Sequence, residues 1–69
     1  MGAIVNYLSQ RWRAQPDDMI GGWCVTPEAD KRTPAQGAPQ LADFSTEELA
    51  RHIAQLHNVW LQSRIHTRG

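Results

Sequence analysis

The sequence is short of most features that announce an activity. It has one cysteine, Cys24, in 69 residues. A single thiol cannot close an intrachain disulfide, so no covalent staple is expected. A lone thiol also fits a reducing cytoplasm better than a secreted location. No apolar run is long: Ala3-Ile4-Val5 falls far short of a signal-peptide core or a spanning helix. Met1-Gly2 opens like a myristoylation signal, but Asn6 stands where that signal wants Ser or Thr. Neither sign of charge is in excess, with seven Lys+Arg against seven Asp+Glu. That balance argues against affinity driven by bulk positive charge.

Catalytic and metal-binding patterns are also missing. There is no Cys-x-x-Cys, no His-x-x-x-His, no Gly-x-Ser-x-Gly and no phosphate loop. His52, His57, His66 and Cys24 are the only candidate zinc ligands of the usual N/S type. His52 and His57 are five apart, about 140° around a helix, and so do not share a face. They read as residues flanking a core or lying in solvent. His57-Asn58 followed by His66 faintly echoes a metal nuclease finger, but both residues fall inside one helix with no acidic ligand nearby. Cys24, between Trp23 and Val25, reads as a small core filler rather than a nucleophile. A chain of this length has little room for a substrate pocket of about 300–1,000 Å³. The expectation is no enzyme, no metal and no cofactor.

What is present points to one small α+β domain over residues 1–69. Phe44-Ser45-Thr46-Glu47-Glu48-Leu49 reads as a helix start, with Ser45 as N-cap, Glu48 closing a capping box, and Phe44 and Leu49 as a hydrophobic staple. The helix is expected over 45–65. Leu49, Ile53, Leu56 and Trp60 fall in one stripe, expected to face inward and roof the sheet. Arg51, Gln55, Asn58 and Gln62 take the opposite face. A hairpin is expected from strands at 22–26 and 40–43, joined by a long loop over 27–39 that holds Pro27, Pro34, Gly37 and Pro39. At the N-terminus, Ile4, Leu8 and Trp12 are spaced as on a helix, so the spacing predicts a helix over 3–14 that ends before Pro16. The alternative is a short strand at Ala3–Tyr7, since Ile, Val and Tyr favour strands.

Charge is segregated along the chain. Residues 1–13 carry +2, from Arg11 and Arg13. Residues 14–50 carry −5, from seven acids against Lys31 and Arg32. Residues 51–69 carry +3, from Arg51, Arg64 and Arg68. Self-association would use that pattern, but so would packing within one chain, which is the plainer reading. Arg11-Trp12-Arg13 combines the residue types of protein hot spots and of nucleic-acid stacking platforms. Against both stands the reading in which Trp12 enters the core and the arginines snorkel. Lys31 and Arg32 lie in the 27–39 loop, which is equally a recognition loop or a solvated connector.

Gly22-Trp23-Cys24-Val25, the Pro-containing loop, Leu41-Ala42-Asp43-Phe44-Ser45-Thr46-Glu47-Glu48, and then Ile53-Ala54-Gln55-Leu56-His57-Asn58 carry a family likeness. Over residues 21–61 the chain resembles a loose group of small uncharacterised proteins from actinobacterial phages and related mobile elements. The resemblance implies no enzymatic residues. It implies an accessory protein that acts by binding a host protein. The expected function is therefore a small, cytoplasmic, non-enzymatic module that docks on a host protein or on itself. Arg11, Trp12 and Arg13, then Lys31 and Arg32, are the expected partner-binding residues. A nucleic-acid-binding regulator and a structural homodimer are the alternatives; no membrane partner is expected.

Overall fold

The computed structural model describes residues 6–66. It shows a small α+β domain in which a three-stranded antiparallel sheet is followed by one long helix packed on it. The strands are β1 (Trp12–Pro16), β2 (Trp23–Pro27) and β3 (Ala42–Phe44), in the order β1-β2-β3, and the helix is α1 (Glu47–His66).

The N-terminal helix expected over 3–14 does not form among the described residues. Tyr7–Ser9 make a single 3₁₀ turn, and β1 follows. Of the alternative strand at Ala3–Tyr7, residues 3–5 lie outside the described residues, and Tyr7 belongs to the 3₁₀ turn. The reason is a matter of parity. Leu8 and Trp12 are four apart, an even number, so their spacing satisfies a strand as well as a helix. Downstream of Gln10 the alternation decides: Trp12 and Ala14 face α1, while Arg13 and Gln15 face the other way.

The hairpin between the second and third strands forms close to the expected positions. Trp23 pairs with Phe44, Cys24 with Asp43 and Val25 with Ala42. On the other side of β2, Ala14 pairs with Val25 and Pro16 with Trp23. Pairs share a face, so Trp12, Ala14, Trp23, Val25 and Phe44 collect under the helix. The β1–β2 turn is organised by Asp17, which is 2% exposed. Its carboxylate accepts from the Met19 and Ile20 N–H groups, and Gly21 supplies the left-handed backbone (φ +83°) that the turn needs.

The opposite face of the sheet is covered by the 28–41 segment. Gln15 Nε2 donates to Thr26 Oγ1 (2.8 Å) and to the Arg32 carbonyl (3.1 Å). Arg13 Nη2 donates to the Asp30 and Arg32 carbonyls. Pro34 and Ala38 are buried there, around a second 3₁₀ turn (Pro34–Gln36) closed by Gly37 at φ +107°. The molecule therefore has three layers: helix, sheet and an ordered loop.

Helix α1 begins one residue later than the capping pattern suggests. Thr46, not Ser45, accepts through its hydroxyl from the Leu49 N–H (3.3 Å). The larger correction is the rotation of α1 about its axis. Leu49, Leu56 and Trp60 do not roof the sheet; they are 48%, 53% and 43% exposed. The buried face is Ala50, Ala54 and His57. The physical reason is volume. The sheet already presents two tryptophans, a valine and a phenylalanine, and only a small-residue face lets the helix backbone approach them closely.

A leucine at position 54 should therefore be far less tolerated than loss of the leucine at 49. In urea unfolding of the dilute chain, Ala54→Leu lowers stability by about 1–3 kcal/mol through overpacking. Leu49→Ala changes it by less than about 0.5 kcal/mol, as an exposed position does.

A candidate protein interface on the helix flank

The side chains that hold α1 in place also create the surface it exposes. Asn58 grips the outer edge of β1. Its Oδ1 accepts from the Trp12 N–H (2.9 Å), and its Nδ2 donates to the Trp12 carbonyl (2.9 Å). One side-chain amide thus occupies the donor and acceptor that a fourth strand would otherwise use. One residue earlier, His57 Nε2–H donates to the Gln10 carbonyl (2.7 Å). Its ring stacks on Trp12, with centroids 3.6 Å apart and planes within 9°. The Trp12 indole N–H in turn donates to the Tyr7 carbonyl (2.9 Å), tying the 3₁₀ turn to the sheet.

These contacts turn the stripe of large apolar residues to one side. By the helical period, Leu49, Ile53, Leu56 and Trp60 lie about 100° around the helix from the sheet-facing line through Ala50 and Ala54. Leu8, 56% exposed, lies beside them. Leu8, Trp12, Ile53, Leu56, His57 and Trp60 line a shallow apolar groove along the flank. Trp60 stands 5.6 Å from His57, and the Arg64 guanidinium lies 4.8 Å over the Trp60 ring. The stripe is plain in the sequence, but its spacing does not say which way it turns. The Asn58 and His57 contacts carry no sequence signal of their own, and Asn58 looks like solvent-facing helix surface until β1 is known to be a strand.

The five residues expected to bind a partner do not form one patch. Trp12 is half-buried between β1 and His57, with only part of its ring reaching the groove. Arg13 is directed at loop carbonyls. Arg11 pairs with Glu28 (3.3 Å) at the surface. Arg32 makes a bidentate contact to Asp30, at 3.0 and 2.8 Å, within its own loop. Lys31 is exposed beside it.

The titratable groups with resolved shifts are structural in placement. The Arg32 guanidinium holds the Asp30 carboxyl down to about 2, and Asp30 in return raises Arg32. Asp18 is lowered by the Thr33 hydroxyl, and it accepts from the Ala35 N–H. Burial, then the charges of Asp17 and Asp43, raise the Cys24 thiol above its ordinary value and keep it neutral. Cys24 is completely buried. Among the described residues, no three His, Cys, Asp or Glu side chains come together as a metal site would require. No helix among them is long and apolar enough to cross a membrane. No protein-family model, curated protein or solved structure matches the chain.

Two outcomes follow. Asn58→Ala strands the Trp12 N–H and carbonyl at a part-buried edge, and chemical denaturation should show a loss of about 1–3 kcal/mol. The Asp30 carboxyl should titrate near 2 by NMR. Its folded value lies below its unfolded one, so its contribution to stability is present above the ordinary carboxylate range and fades as pH falls toward 2. Arg32→Ala should return that midpoint toward the ordinary value.

Proposed function

We propose that the chain is a small non-enzymatic protein-binding module, encoded by a phage and acting in the host cytoplasm by docking on another protein. One observation carries the reading. The largest apolar side chains of α1 are held at the surface by specific hydrogen bonds rather than buried, although the chain is small and its core is poor. Clustered exposed apolar residues mark interaction surfaces more often than they occur idly. Leucines and a tryptophan around a shallow groove are suited to anchoring a partner's apolar side chains, with Arg64 over the Trp60 ring at its end.

The docking face on this reading is Leu49, Ile53, Leu56 and Trp60 with Leu8. It replaces Arg11, Arg13, Lys31 and Arg32 as the main contact, and Trp12 contributes only the part of its ring that lines the groove. A nucleic-acid role is less well supported. Arg11, Arg32 and Arg51 are each matched by a carboxylate, which leaves little unneutralised charge for a phosphate backbone.

The test uses the tagged full chain as bait in an actinobacterial lysate, beside Leu56→Asp and a Lys31→Ala/Arg32→Ala double variant. Leu56→Asp should cut the captured protein at least tenfold while the loop variant retains it. Retention by Leu56→Asp, or capture of salt-sensitive nucleic acid instead, overturns the reading.

A further inference from the structure

Where β2 leaves the sheet, the Tyr7–Ser9 turn and the 28–41 segment frame an open concavity of about 580 Å³. Tyr7, Gln10, Pro27, Lys31, Arg32 and Pro39 line it, and none of its lining residues belongs to α1. It is therefore separate from the helix flank. Its volume is that of a small-molecule site.

Charge around this concavity is out of balance. Arg13 Nη2 donates to the carbonyls of Asp30 and Arg32, two residues of the wall. Among the described residues no carboxylate pairs with Arg13, and its buried Nε has no hydrogen-bond partner. A part-buried guanidinium held only by carbonyls is a cation whose charge the chain does not answer. Lys31 is exposed and makes no ion pair among the described residues. Three cations, Arg13, Lys31 and Arg32, thus stand against the single carboxylate of Asp30, while Arg11 and Glu28 nearby cancel.

Asp30 does not spoil the site for an anion, because it is spent on Arg32. Its Oδ1 accepts from the Arg32 N–H and Nε, and its Oδ2 from Nη2. That clamp fixes the guanidinium and leaves Nη1 without a hydrogen bond among the described residues. Nη1 lies over Gly37, another lining residue, where a Cβ would stand 3.1 Å from it. The Tyr7 phenol is near enough to favour the charged form of Arg32.

We propose that this concavity binds a small organic phosphomonoester. Such a group carries about −1.5 to −2 at pH 7, which answers the local surplus of positive charge. The Lys31 ammonium, Arg32 Nη1 and the Tyr7 hydroxyl are three donors for its three terminal oxygens. The Tyr7 ring, Pro27 and Pro39 offer apolar surface to the body that carries it. A carboxylate or a sulfate ester, with one charge, would leave part of the surplus unanswered.

NMR titration of the full chain with phenyl phosphate at neutral pH tests the proposal. Saturable shifts should appear at the Tyr7, Gln10, Lys31, Arg32 and Gly37 amides and not at Leu56 or Trp60. Phenyl sulfate, of the same shape with one charge, should bind at least tenfold more weakly, and inorganic phosphate should also bind more weakly. Lys31→Ala should raise the Kd for phenyl phosphate at least tenfold with an unchanged circular-dichroism spectrum, since Lys31 is exposed. Tyr7→Phe, which removes only the hydroxyl, should weaken binding as well. Leu56→Asp should bind phenyl phosphate as the parent chain does, which keeps this site distinct from the docking face. No saturable shift at millimolar phenyl phosphate, or an unchanged Kd in Lys31→Ala, overturns the proposal. Equal affinity for phenyl sulfate overturns the preference for a dianion, and equal affinity for inorganic phosphate overturns the organic body.

Discussion

The bidentate contact of the Asn58 amide with the Trp12 backbone is the constraint on which the rest of the structure depends. β1 is an edge strand, and its outward N–H and carbonyl groups need partners or water. Asn58 supplies both at Trp12, His57 covers the Gln10 carbonyl, and Pro16 has no N–H to leave open. Two adjacent helix residues bound to one strand fix both the position and the rotation of α1. Once that rotation is set, Ala50 and Ala54 must face Val25, and the stripe through Leu49, Leu56 and Trp60 must face away.

Packing and hydrogen bonding agree on that rotation. Turning the stripe inward would set Leu, Ile and Trp against Trp12, Trp23 and Phe44, with no room for close layers. It would also strand Asn58 and the Trp12 backbone. The present arrangement accepts exposed apolar area on α1 in exchange for close contact with β2 and a protected sheet edge. On the far face of the sheet, Gln15 and Arg13 donate to carbonyls of the 28–41 segment, and Gln15 also donates to the Thr26 hydroxyl beside it. That is why a proline-bearing stretch of this length has a defined path rather than serving as a loose connector.

Much of this architecture is legible in the sequence, and the remainder fails for identifiable reasons. The long helix follows from a 3.6-residue period uninterrupted by Pro or Gly, and the hairpin from Trp23–Thr26 and the turn residues around it. β1 is hidden because Leu8 and Trp12 are spaced by an even number and because Arg11-Trp12-Arg13 resembles a surface triplet. The helix face is misread because transfer energy ranks Leu, Ile and Trp above Ala. Helix-on-sheet packing against bulky strand residues rewards the smaller side chain. For the candidate site, the stripe itself is visible, while its outward rotation is set by Asn58 and His57, contacts 46 and 47 residues apart in sequence. Of the basic residues that look like binding anchors in the sequence, Arg11, Arg13 and Arg32 contact groups of the chain itself, and Lys31 is exposed.

The rotation of α1 is the claim from which the exposed flank and its reading as a docking face descend. Methyl NOEs in a dilute sample of the full chain measure it directly. The account predicts strong contacts from the Ala50 and Ala54 methyls to the Val25 methyls, and none from Leu49 or Leu56 to Val25. Contacts from the Leu49 and Leu56 methyls to Val25, with Ala50 and Ala54 silent, would contradict it.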